Sequence, residues 1–404
     1  MAGASIGLAS ADVRRHNLSL VLRHLAGAGP TSRTAIAEQT GLTRGSVTAL
    51  VQILQEAGIV RETTSVVGLK GRPRTNLALA GDAIALLALQ IASDEVIGML
   101  TSLVGDEVAT ISRPHAASPG DPGPVLDLAS QVMRELIDVA AAEGRTVRDA
   151  SIVVLAPVGG DPPRVIGDAA LGWRAVDVVG GIRDRLPELG TVPVTLASDA
   201  PVAATAELRR LGVIADAIYL KGDSTIGGAL VINGEVVSGA HSFAGSLGHL
   251  AVVPDGEVCV CGQRGCLVTV AGIAPLAAAA GMDADFAAHS PHAALAEFIA
   301  RVDDGDAAAG RAWAGALPWI GRTIAILSMA VDPSVVVIGG QWAPLASTIE
   351  DAFRRARPDV ADDDEKRARV VPGVLGSGAA LRGAIEAGQQ RLLRDPQELL
   401  YFNT

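Results

Sequence analysis

The sequence predicts an α/β body of two lobes behind an N-terminal winged helix-turn-helix head. Three observations carry that prediction. Charge is split along the chain: residues 1–80 hold nine Lys/Arg against four Asp/Glu, and the remaining 324 hold 24 against 40, for a net charge of −11. Helical periodicity fills the head, whereas strand-like and helix-like segments alternate beyond residue 84, the mark of an α/β body. The 404-residue length, at about 150 residues per domain, leaves room for two or three domains. A hydrophobic content of 49% excludes general disorder, and with four Trp, two Tyr and five Phe the cores must be built from Ala, Val, Leu and Ile. No uninterrupted apolar run reaches the ~20 residues of a membrane span, and the N-terminus lacks a basic-then-apolar signal. Three clustered cysteines are not a disulfide framework. The expected location is the cytoplasm, at the nucleoid, with no membrane partner. The preference for Arg over Lys reads as a coding bias.

In the head, Leu18, Val21, Leu22 and Leu25 recur at helical spacing over 17–25, and Gly27, Gly29 and Pro30 stop that helix. Ser32 is a natural N-cap for a second helix running to Gln39. Gly41 suits a turn that needs positive φ, and a third helix spans 43–57. Small Ala37 lets the two helices approach, and Leu42, Val47 and Leu50 fill their shared core. Short alternating segments at 63–67 and 76–79 form a hairpin around a basic loop, which is the wing.

On the third helix Val47, Leu50, Val51 and Leu54 share the core face. Thr43, Arg44, Gly45, Ser46, Thr48 and Gln52 are therefore the candidates for contact with a DNA major groove. The wing adds Lys70, Arg72 and Arg74, whose cationic ends suit phosphates or a narrow minor groove, with Pro73 stiffening the tip. A basic head on an acidic body makes a double-stranded DNA operator the expected partner of the head alone. The alternative is a three-helix adaptor with a solvated basic loop.

In the body, strands are expected at 84–89, 96–103, 152–155, 192–196, 217–221, 226–232 and 335–338, with a turn at Asn233-Gly234. Helices are expected at 125–143, 201–211 and through much of 272–330. A Pro/Gly/Ser-rich loop covers 114–124, and no internal repeat is evident.

The strongest chemical signal is Cys259-Val260-Cys261-Gly262-Gln263-Arg264-Gly265-Cys266 preceded by His249. Three thiolates and an imidazole make a closed tetrahedral set for a structural Zn2+, and the two glycines permit the tight knuckle. The competing reading is three buried apolar cysteines beside an unrelated histidine.

With the segment 241–249 before it, this knuckle resembles the signature of the ROK family of bacterial sugar kinases and sugar-responsive repressors. Leu171-Gly172-Trp173, Ser198-Asp199-Ala200 with Ala203, Ala204 and Glu207, 222–228, Ile338-Gly339-Gly340 and the glycine-rich end near 376–388 follow in family order. The resemblance implies a two-lobed actin-like, ribonuclease H-like ATPase fold. The implied boundaries are 1–80 for the head, 81–198 plus about 385–404 for the first lobe, and 199–384 for the second lobe with the knuckle.

Carried residue by residue, the resemblance implies a regulator that is no longer a kinase. The family's first phosphate loop, Asp-x-Gly-Gly-Thr, corresponds to 89–94 here, without its glycines and threonine. The second corresponds to 222–228, where Asp223 would repel phosphates. Asp199 matches the catalytic base, but a base without a phosphate cradle cannot deliver phosphoryl transfer. At the family's sugar-binding positions stand Ser198, Pro201, Ser246 and Val268, which leaves Ser198, Asp199, Ser246 and His249 as effector-binding candidates. For Asp199 the rival role is to cap the helix that follows. The expectation is a transcriptional repressor, dimeric or tetrameric, sensing a sugar or another small molecule. The rivals are an ATP-using sugar kinase and a regulator controlled by a protein partner.

Overall fold

The computed structural model describes residues 10–64, 75–116, 120–167, 170–213, 215–359 and 367–400. The head comprises α1 (Ser10–Ala28), α2 (Arg33–Thr40) and α3 (Arg44–Glu56), followed by antiparallel β1 (Val60–Thr64) and β2 (Thr75–Leu79). Ser32 caps α2 through its hydroxyl, and Gly41 ends it at φ 73°, so both sequence signals act as expected. α1 starts seven residues earlier than its apolar spacing suggested. Thr31 pairs with Leu77, joining the helices to the wing. Val21, Leu22, Ile36, Val47, Val51, Leu54 and Leu77 are fully enclosed. Each such burial contributes about 1.5–3 kcal/mol. The wing tip, with Lys70, Arg72, Pro73 and Arg74, lies outside the described residues.

The body continues with β3 (Ile84–Ile91), β4 (Glu95–Ser102), β5 (Glu107–Pro114), α4 (Gly123–Ala142) and β6 (Thr146–Val154). A small antiparallel sheet of β7 (Val158–Gly159), β8 (Arg164–Gly167) and β9 (Arg174–Val176) precedes α5 (Val178–Arg185), β10 (Val194–Ser198) and α6 (Asp199–Leu211). The second lobe is opened by β11 (Ala217–Gly222), β12 (Ile226–Ile232) and β13 (Glu235–Val236). Helices α7 (Val268–Ala271), α8 (Ile273–Ala279), α9 (Ala284–His289), α10 (Pro291–Asp303) and α11 (Ala307–Val331) follow. The chain closes with β14 (Val335–Gly340), α12 (Ala346–Ala356), β15 (Arg369–Pro372), α13 (Ala379–Arg394) and α14 (Gln397–Leu400).

The two large sheets have orders β10-β6-β3-β4-β5 and β13-β12-β11-β14-β15. In each, three antiparallel strands are extended by two parallel ones. One topology is therefore used twice, although no repeat is visible in the sequence. Topology depends only on where apolar segments pair, so it needs no residue-level likeness. β3 is buried along its whole length, because α4 and α13 both pack against it. On β4, Gly98 admits α4: a Cβ there would meet Val132 and Leu136 at 2.7 and 2.6 Å. β5 went unread in the sequence because it is exposed or half-buried along its length and lacks a buried face.

α6 and α13 pack on each other, and α6 reaches strands of both sheets. Asp149 on β6, 1% exposed, receives both Nε and Nη2 of Arg391 on α13, at 3.0 and 2.7 Å. Glu207 on α6 is fully buried and accepts the Val374 and Leu375 N–H groups at 2.7 and 2.9 Å, fixing the turn into α13. α1 of the head also packs on α13, so the head core is continuous with this interlobe layer. α11 is long and apolar enough, by length and composition, to cross a membrane. Here Trp313, Ala316, Ile320 and Ile324 are buried in the second-lobe core.

Candidate functional site

The recognition helix α3 is capped by Thr43, whose Oγ1 accepts the Ser46 N–H at 3.1 Å and lies 2.8 Å from the Ser46 hydroxyl. Arg44, Gly45, Thr48 and Gln52 are exposed, Ser46 is half-buried, and the opposite face is core, as the spacing predicted. Thr48 donates to the Arg44 carbonyl at 2.9 Å, and Gln52 to Glu56 at 2.9 Å. Ala49 is also exposed on this face, and the sequence reading passed over it because it bears no polar group. α3 thus presents a shallow polar surface with one cation at its N-terminal end.

The knuckle brings His249, Cys259, Cys261 and Cys266 together, with all four donor atoms within 4.8 Å of one another. Cys259 Sγ lies 3.5 Å from His249 Nδ1, and Cys261 Sγ lies 3.6 Å from Cys266 Sγ. A tetrahedral zinc, with bonds of about 2.3 Å to sulfur and about 2.0 Å to nitrogen, requires edges of about 3.8 Å and about 3.5 Å, so the donors fit the ion. Gly262 and Gly265 take φ values of 90° and 70°, and a Cβ on Gly265 would overlap the Val253 carbonyl. Burial and the neighbouring thiols push Cys266 up to about 12. Burial also opposes ionisation of Cys261, but the Gln263 backbone N–H and the adjacent thiols outweigh it and lower its pKa. Burial lowers that of His249, favouring the neutral imidazole that binds metals. Three crowded thiols that cannot all ionise unaided are the donor set a dication would satisfy.

At the interlobe cleft, Asp199 is the first residue of α6 and 5% exposed. It makes no side-chain cap; instead its Oδ2 lies 2.6 Å from Lys221 Nζ on β11. The two groups form a buried ion pair. Lys221, 3% exposed, also donates to Asp223 Oδ2 at 2.9 Å. Burial opposes its charge, yet Asp199 and Asp223 outweigh it and hold its pKa above the ordinary lysine value. Asp223, at the second phosphate-loop position, sits against Gly340 (φ 62°), where a Cβ would come within 2.7 Å of its carboxylate. Gly222 lies under the Trp342 indole so closely that a Cβ would meet the ring at 2.2 Å.

Of the remaining effector candidates, Ser198 stands at the N-cap position of α6 beside Asp199, and Ser246 and His249 lie on a short turn packed against β12. Ser198 Oγ accepts the Val158 N–H at 3.0 Å, and Ser246 heads the short turn whose His249 N–H returns to the Ser246 carbonyl. The His249 ring faces Cys259. A cavity of about 530 Å³ in the second lobe borders the Asp199–Lys221–Asp223 cluster through Gln341, and is lined also by Ile299, Asp303, Pro344, Val374 and Ser377 among others. Lys221 was missed from sequence, though a signal existed. It is one of three lysines in a chain with thirty arginines, and it stands in an otherwise apolar strand.

Comparison with known proteins agrees with this layout. The ROK family profile matches residues 102–390, and a MarR family profile matches residues 19–68. A glucokinase of Halalkalibacterium halodurans is 32% identical over 229 residues, covering 52% of this chain and 68% of that protein. The xylose repressor of Bacillus subtilis is 25% identical over 257 residues, covering 63% of this chain and 65% of that protein. Among solved structures, a ROK family transcriptional regulator described as a homologue of the E. coli MLC protein superposes with a TM-score of 0.74 at 21% identity, covering 96% of this chain and 99% of that one. A ROK family glucokinase from Streptomyces griseus, in complex with glucose and AMPPNP, gives 0.61 at 23% identity, covering 76% and 99%.

Proposed function

The chain belongs to the ROK family, and from that membership we propose that it is a DNA-binding transcriptional repressor in which phosphoryl transfer has been abandoned. One observation carries the proposal: a complete helix-turn-helix with an exposed polar recognition face is packed onto a body whose base, Asp199, is engaged by its own Lys221. In this reading Thr43, Arg44, Gly45, Ser46, Thr48 and Gln52 meet the major groove, and Lys70, Arg72 and Arg74 meet phosphates or the minor groove. Two heads of a homodimer, or of a tetramer, face a pseudo-palindromic operator. His249, Cys259, Cys261 and Cys266 hold a structural zinc that stiffens the knuckle. The lobe boundaries are those expected above, with α6 and α13 between the lobes. An effector acting on the cleft reaches the head through α13, on which α1 rests. A gel shift with the chain's own upstream DNA at low salt tests the proposal, and no retarded band overturns it. Arg72→Ala should weaken binding and flatten the salt dependence by about one unit if it contacts a phosphate.

The glucokinase likeness favours a second reading, a sugar kinase using ATP. Asp223 at the phosphate loop and the lysine on Asp199 oppose it, because transfer needs a free base and an electropositive cradle. ATP turnover across a sugar panel separates the two readings, with sustained turnover favouring the kinase.

A further inference from the structure

Lys221 belongs to a longer chain of contacts that runs from Asp199 to the other lobe. Asp223, held by Lys221 through Oδ2, shares the Gln341 backbone N–H with the Gly222 carbonyl: the carbonyl accepts it at 2.9 Å and Asp223 Oδ1 at 3.2 Å. The Gln341 side chain then donates to both the carbonyl and Nδ1 of His292, each at 3.0 Å. Facing two acceptors, the amide must present its NH2 group, which places the imidazole proton on Nε2. His292 lies in the first turn of α10, and its backbone N–H donates to Asp94 Oδ2 at 3.3 Å.

Asp94 belongs to the other lobe, in the turn between β3 and β4. That turn is itself well fixed. The Ser93 hydroxyl lies 3.3 Å from Asp94 Oδ1, the His115 N–H donates to the Asp94 carbonyl at 2.8 Å, and the His115 ring meets the Ala92 carbonyl at 3.1 Å. The first N–H groups of a helix have no partner within it, and the helix dipole favours a negative group there. α10 has no side-chain cap of its own, since Ser290 at its N-cap makes none. A carboxylate of the first lobe therefore caps a helix of the second. At another point of the cleft, Gly159 of β7 approaches Ser242 so closely that a Cβ would meet Ser242 Oγ at 2.7 Å.

We propose that the relay Asp199–Lys221–Asp223–Gln341–His292–Asp94 is a built-in latch that holds the two lobes closed without a ligand, with Asp94 as its releasable end. Each internal link is buried or half-buried, whereas the last is a single bond to a backbone N–H across the gap. Opening the cleft costs that bond and uncaps α10, and leaves each lobe otherwise intact. Asp94 is a positioning residue: it touches no reacting group and acts through α10. The proposal stands independently of DNA binding or of any effector.

Hydrogen exchange at the His292 amide, measured on the full-length protein, reads the latch directly. Asp94→Ala should accelerate exchange there by on the order of ten- to a hundred-fold, as loss of a charged acceptor implies. The amides of Leu295 to Ile299, bonded within α10, should keep their wild-type rates. Asp94→Asn retains an acceptor oxygen and should stay near wild type, and Gln341→Leu should loosen the same amide from the other side. Small-angle scattering should show a larger radius of gyration for Asp94→Ala than for wild type or Asp94→Asn. Unchanged exchange in Asp94→Ala overturns the latch. Faster exchange with an unchanged radius overturns it equally, since Asp94 would then cap α10 without holding the lobes.

Discussion

Lys221→Met removes the cation between one buried and one half-buried carboxylate, Asp199 and Asp223, and its cost can be worked from the geometry. At 2.6 and 2.9 Å, and an effective dielectric of about 20, each contact is worth about 6 kcal/mol before desolvation. Burying three ions costs several kcal/mol each, so the intact cluster contributes little net stability. Removing only the lysine is different, because buried Asp199 and half-buried Asp223 then lose their counter-ion. The expected loss is about 3–5 kcal/mol. Urea unfolding at neutral pH, followed by circular dichroism, measures it. The triple variant Asp199→Asn/Lys221→Met/Asp223→Asn removes charge and counter-charge together and should recover most of that loss. The Lys221 pKa is raised above 10.5, so its stabilisation is fully present below that value and is lost only as pH climbs through the folded-state pKa. Lys221 itself should therefore add no pH dependence to wild-type stability from about pH 6 to about pH 9. A single-variant loss below about 1 kcal/mol, or a triple variant no more stable than the single, would refute the reasoning.

Other expectations follow from the same structure. Cys266→Ser should abolish stoichiometric zinc measured by elemental analysis and lower the melting temperature, and a chelator should do the same to wild type. Arg44→Ala and Gln52→Ala should each weaken operator binding by about 1–3 kcal/mol in a gel-shift titration while leaving the circular dichroism spectrum unchanged. Leu393→Ala, on the fully buried side of α13, should cost about 2–5 kcal/mol in urea unfolding. Asp94 titrates with the opposite sign to most aspartates: burial, outweighing the His292 N–H, raises its pKa above 3.8. Between 3.8 and that raised value the folded chain keeps a proton the unfolded chain has released, so stability from this group falls as pH rises through the window. Asp94→Asn should remove that slope from an acid titration of unfolding.

Local chemistry was legible in the sequence. Ser32 and Gly41 bound α2 because a hydroxyl cap and a left-handed residue each solve a one-turn problem. Leu18, Val21, Leu22 and Val47 disclosed their buried faces by spacing, and the knuckle disclosed its donors because its three cysteines and its two turn glycines fall within eight residues. Those features require only neighbours along the chain. What spacing could not reveal is that Lys221 would take Asp199 as its partner, that Asp94 would meet His292 from 198 positions away, or that α1 would rest on α13. Such contacts are decided when two sheets of identical topology fold toward each other and enclose whatever charges their strand ends carry. A charge taken out of water must then find an opposite charge or an N–H group, and only the assembled lobes determine which one is within reach.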